Sequence, residues 1–123
     1  MKAFISALIL FLVIVGLTIG NAVYLVHQID DLIACTDAGL AAPGWEDRCE
    51  KVDAFAERWQ KHQMIFGLSI SHVDLTDIEE HLSATQGACT ARDNANYLVH
   101  LNKLKNTMNH LRGLAGVGID NII

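Results

Sequence analysis

Six side chains that can carry protons or hold metals crowd into one short stretch: His72, Asp74, Asp77, Glu79, Glu80 and His81. Asp77 and His81 stand four apart, so a helix would turn both toward one divalent cation, with His72 or His62 as a further ligand. Such a centre needs three or four convergent donors, and helical spacing aligns only that pair. The competing reading is a charged first turn, in which carboxylates complement the helix dipole. His72, Asp77 and His81 are thus the metal-ligand candidates, but the sequence favours neither a bound metal nor a cofactor.

Nucleophilic chemistry has less support. Ser71 beside His72 lacks the strand-turn-helix setting that presents a serine nucleophile. Cys89 could pair with His62, His100 or His110 as thiol and imidazole, yet a cysteine on an apolar helical stripe is ordinarily core. Trp45 and Trp59, 14 residues apart and so nearly four helical turns, read as core rather than as walls of a ligand groove. No catalytic residue is assigned, and the chain is not expected to be an enzyme.

Cys35, Cys49 and Cys89 are odd in number and lack Cys-x-x-Cys spacing, which disfavours a thiolate zinc site. An extracytoplasmic domain could oxidise one pair, Cys35 and Cys49 being nearest in sequence. Cys49 and Cys89 fall on apolar stripes, so the preferred expectation is three small buried thiols.

The elements that must position these residues begin with a run of 24 uncharged positions, Ala3 to Val26. As a helix it reaches roughly 36 Å, enough to cross a hydrocarbon core of about 30 Å with some tilt. Only Ser6, Thr18 and Asn21 are polar within it. A cleavable signal is the rival reading, with Lys2 as its positive start and Gly20-Asn21-Ala22 as its cut site. The apolar run is longer than such a signal needs, and Tyr24, Leu25 and Val26 carry it past the cut, so an anchor is favoured. Leu32-Ile33-Ala34-Cys35 has the composition of a lipidation box, but His27, Asp30 and Asp31 separate it from the apolar run. Lys2 precedes the span and no Lys or Arg follows before Arg48, which places the N-terminus in the cytoplasm and the rest outside. Gly16 and Gly20 form a Gly-x-x-x-Gly step that could pack a transmembrane dimer.

Residues 27–123 hold 14 acids and 8 bases, a balance of −6, without a basic stripe. Such a domain repels phosphate backbones, so nucleic acid is not an expected partner. Acids dominate up to residue 80, whereas residues 81–123 carry Arg92, Lys103, Lys105 and Arg112 against two acids. A basic last helix packing beside acidic earlier ones accounts for this asymmetry.

Helical periodicity runs through the remainder. The span continues outward through Ile29, Leu32 and Ile33 and breaks at Gly39, Pro43 and Gly44. A second helix reads from about Trp45 to Ile70, with Trp45, Cys49, Val52, Ala56 and Trp59 on one face and Gly67 as its bend or end. Ser71 with Asp74, or Thr76 with Glu79, resembles an N-terminal cap for a third helix, whose stripe is Leu75, Ile78, Leu82, Thr85 and Cys89. Asp93 caps a last helix with the stripe Tyr97, Leu98, Leu101, Leu104, Met108 and Leu111, expected to end at Gly113, Gly116 and Gly118. Ile119, Ile122 and Ile123 form an apolar tail that should dock on the bundle or on a partner.

The fold class is therefore all-α: a transmembrane helix at 1–26, a juxtamembrane extension and turn at 27–44, and an antiparallel three- to four-helix bundle at 45–123, to which the outward extension of the anchor contributes the fourth helix. The short anchor, Trp45 and Trp59, the segment from Ser71 to Glu80 and the ending Asn121-Ile122-Ile123 resemble the bacterial domain-of-unknown-function family DUF4363. Its pattern differs in carrying an acidic residue where Ser71 stands and in being poor in cysteine. The resemblance implies architecture and membrane location without any chemistry. The expected role is structural or protein-interacting at the cell envelope, with the bilayer, another membrane or envelope protein, or a second copy as partner. The alternatives are an extracytoplasmic ligand- or metal-binding module centred on His72 to His81, and a secreted domain released near Ala22.

Overall fold

The computed structural model describes the backbone of residues 1–122 and the side chains of residues 1–116. The described residues form five helices: α1 (Lys2–Ala41), α2 (Trp45–Lys61), α3 (Gln63–Ser69), α4 (His72–Ala91) and α5 (Asn94–Ile122). There is no strand among the described residues. The outer half of α1 joins α2, α4 and α5 in a four-helix bundle, as the sequence leads one to expect, while α3 bridges the ends of α2 and α4.

α1 spans 40 residues, about 60 Å at helical rise. Its most apolar 18-residue window has no buried share, so the inner half projects from the bundle without protein cover. The helix becomes core only from Ile29 and Leu32, which are buried. It ends where Ala42 turns to extended backbone, the conformation that the ring of Pro43 imposes on its predecessor.

The core is built from the stripes legible in the sequence. Val52, Ala56 and Trp59 of α2 meet Ile78, Leu82 and Cys89 of α4, and Tyr97, Leu101, Leu104, Met108 and Leu111 of α5 close over them. Phe55 and Phe66 are buried as well and contribute two of its largest side chains. Gly39 lets α5 approach α1 closely. A Cβ there would stand 3.0 Å from Leu101 Cδ2 and 3.2 Å from Tyr97 Oη, and the Gly39 carbonyl accepts a 2.8 Å hydrogen bond from that hydroxyl.

The structure corrects three expectations. The cysteines are not all unpaired: Cys49 and Cys89 form a disulfide across α2 and α4, with Cα atoms 5.7 Å apart, and Cys35 remains free. The stripes that marked both residues as core face each other, which is what brings the thiols together. The helix expected over 45–70 breaks at His62 (φ −107°, ψ 9°) rather than at Gly67. His62 N–H still bonds Arg58 and its carbonyl accepts from Phe66 N–H, so this is a one-residue kink. It lets Phe66 stack on Trp59 at 5.0 Å between ring centroids. Finally, α5 does not stop at Gly113 but continues through the glycines to Ile122, since each glycine costs a helix only about 1 kcal/mol.

Both expected caps are present. Ser71 Oγ accepts from Asp74 N–H at 3.2 Å, and Asp93 Oδ1 accepts from Asn96 N–H at 3.2 Å. Between them, Arg92 closes α4 with a left-handed backbone (φ 55°), an uncommon choice for a side chain with a Cβ.

Candidate functional site

The chemistry-bearing residues are dispersed or occupied. His72 and His81 are nine positions apart on α4, which turns them to opposite sides of the helix. His72 is exposed at the first turn, whereas His81 is half-buried against α5. There its Nδ1 lies 3.3 Å from Nδ1 of His100, a pairing that the sequence does not reveal because it joins two helices. Among the described residues no three His, Cys, Asp or Glu side chains gather as a metal site, and His72, Asp77 and His81 are not brought together.

The candidate nucleophiles have structural partners. Ser71 Oγ caps α4 and also donates to the Asp74 carboxylate at 2.9 Å. Cys89 is bound to Cys49, so it has no thiol to offer His62, His100 or His110. Cys35 keeps its thiol, but burial pushes its pKa up, opposed by the positive charge of Arg58. A thiol held protonated in this way is a poor nucleophile. His62 Nδ1 lies 2.6 Å from Tyr24 Oη, tying the kink between α2 and α3 to α1.

Trp45 and Trp59 both pack in the bundle. Trp59 is buried on Phe66, and half-buried Trp45 meets Tyr97 edge to face at 5.5 Å. Arg48 covers these rings, 4.7 Å from Trp45 and 5.2 Å from Tyr97, a geometry suited to cation–π attraction. Its guanidinium also donates to the Ala42 carbonyl at 3.2 Å and to Asn94 Oδ1 at 2.8 Å, linking the α1–α2 turn to the start of α5. Burial raises the Tyr97 phenol above its ordinary pKa, with Arg48 opposing.

Charge complementarity follows the expected division between a basic last helix and acidic earlier ones. Lys105 pairs with Asp37 at 2.6 Å and Arg112 with Asp30 at 2.8 Å, both between α5 and α1. Arg58 of α2 reaches Asp31 at 3.2 Å. All are partly exposed, so each contributes at most about 1 kcal/mol and chiefly fixes register.

The remaining sequence candidates are contact surfaces. Around Gly16 and Gly20 nothing lies within 4 Å of where a Cβ would stand, so this face of α1 is open. Ile119, Ile122 and Ile123 lie outside the described side chains. At the end of the bundle nearest the bare half of α1, Met64, Leu68, Val73 and Leu114 are exposed apolar side chains.

The profile of a family described as a domain of unknown function, DUF4363, matches residues 21–122, and the chain belongs to that family. No curated protein and no solved structure matches it.

Proposed function

We propose that this DUF4363 member is a single-pass, membrane-anchored helical protein that acts by contact at the cell envelope and catalyses no reaction. One observation carries the reading: α1 is long and apolar enough to span a bilayer, and its apolar window has no protein cover. Lys2 ahead of the span favours a cytoplasmic N-terminus. The Cys49–Cys89 disulfide agrees with a bundle on the oxidising, extracytoplasmic side. A contact role draws support from the engagement of Ser71, Cys89, His62 and Tyr24 in structural bonds. The bilayer is one partner; another membrane or envelope protein, or a second copy packed through Gly16 and Gly20, is the next. The acidic bundle argues against nucleic acid.

Alkaline carbonate extraction of membranes, followed by intact mass measurement, tests the anchor. Retention in the pellet at the full 13.5 kDa supports it. A soluble product shortened near Ala22 would favour the secreted domain instead.

A further inference from the structure

From His62 to Val73 the chain contains no Asp, Glu, Lys or Arg. Within this stretch α3 buries Phe66, but Met64 and Leu68, one turn apart on the same face, are 82% and 86% exposed. Val73, in the first turn of α4, is 70% exposed, and Leu114 of α5 is 57% exposed. Isolated surface leucines are ordinary, whereas an uncharged helix presenting two neighbouring apolar side chains calls for an occupant.

The placement of α3 identifies one. α2 runs toward the bare half of α1 and α4 runs away from it, so α3 closes the end of the bundle from which that half emerges. Two contacts fix its level along α1: Tyr24 with His62, and a small cleft shared by Leu25, Ile29, Ile70, Ser71, Leu111 and Leu114. Tyr24 and Leu25 are the last residues but one or two of the uncharged run that ends at Val26, within about 3 Å of its end along the helix. With α1 in a bilayer, this is headgroup depth, where Tyr rings are favoured.

We propose that α3, with Val73 and Leu114 beside it, rests in the lipid surface of the membrane that α1 crosses, with Met64 and Leu68 entering below the headgroups. This rests on the anchoring reading. The span holds the patch at the bilayer permanently, so a small apolar surface suffices where a free domain would need a larger one. With no basic residue in α3, docking is apolar and does not depend on anionic lipid.

Site-directed spin labelling of the full chain tests this. Single cysteines replace Leu12, Asp47 or Leu68 in a Cys35→Ser background with the Cys49–Cys89 bond kept oxidised, and the labelled protein is reconstituted in phosphatidylcholine vesicles. Power saturation compares collision with oxygen, which concentrates in lipid, and with a neutral nickel chelate, which stays in water. The label at Leu12 should favour oxygen strongly, and the label at Asp47 should favour nickel. The label at Leu68 should show several-fold less nickel collision than that at Asp47. Nickel access at Leu68 equal to that at Asp47, with Leu12 still in lipid, overturns the docking and leaves the anchor standing. Nickel access at Leu12 overturns the anchor itself. Dipolar broadening between Leu68 labels that survives dilution in lipid would mean that a second copy covers the patch, which also overturns the proposal.

Discussion

The two ends of this bundle are held together by different means. At the end far from the bare half of α1, the Cys49–Cys89 bond, the Tyr97–Gly39 hydrogen bond and the Arg48 contacts lock four helices. The chain reverses there through Pro43 and Gly44 and through Arg92 and Asp93, with charged side chains facing water. At the near end the helices meet through aromatic rings, Trp59 on Phe66 and Tyr24 on His62, and the apolar side chains of Met64, Leu68, Val73 and Leu114 are exposed beyond them. A chain free in water on all sides would gain from charge at both ends. The contrast accords with the anchor proposed at the near end.

The largest effect should come from the far end. Reduction, or the pair Cys49→Ser and Cys89→Ser, releases a bridge across 40 residues and should lower stability by about 4 kcal/mol in chemical denaturation. At the near end, Phe66→Ala empties a fully buried site and should cost about 3 kcal/mol. If it costs as little as a surface change, the kinked α3 is not an integral part of the bundle.

Tyr97→Phe strips the Gly39 carbonyl of its partner and should cost about 1–2 kcal/mol by the same measurement. The Tyr97 phenol carries a pKa raised in the folded state, so its contribution is fully present below the ordinary tyrosine value and is lost as pH rises through the folded value. Urea midpoints followed from about pH 8 to 11 should therefore fall with pH in the native protein and fall less in Tyr97→Phe. Arg92→Gly relieves the left-handed backbone at the end of α4 and should raise stability by about 0.5–1 kcal/mol. Smallest of all, Leu68→Ser should leave the stability of the bundle within about 0.5 kcal/mol, because that side chain packs on nothing inside it.

Much of the architecture could be read from the chain because each helix carries its own apolar stripe at the helical period. The stripes beginning at Leu75 and Tyr97 became core nearly residue for residue, and Ser71 and Asp93 cap as their spacing suggests. What escaped depends on which stripe faces which. Periodicity places Cys49 and Cys89 inward on separate helices but does not say that they meet, and His81 with His100 escaped for the same reason. The kink at His62 had no proline or glycine to announce it, because a contact with Tyr24, 38 residues away, holds the residue in place. The glycines of α5 were misleading, since each costs a helix only about 1 kcal/mol and the backbone stays helical through them. For the metal candidates, nine residues put His72 and His81 on opposite sides of α4, and among the described residues no three His, Cys, Asp or Glu side chains gather.

The proposed anchor requires α1 to lie in lipid and the bundle to face an oxidising space. Cells lysed directly into denaturant containing a maleimide, with the membrane and soluble fractions of a parallel lysate treated alike, give the most direct test by intact mass. The prediction is full-length protein in the membrane fraction carrying one adduct, at Cys35, with Cys49 and Cys89 protected as a disulfide. Full-length protein in the soluble fraction with all three cysteines alkylated would contradict it.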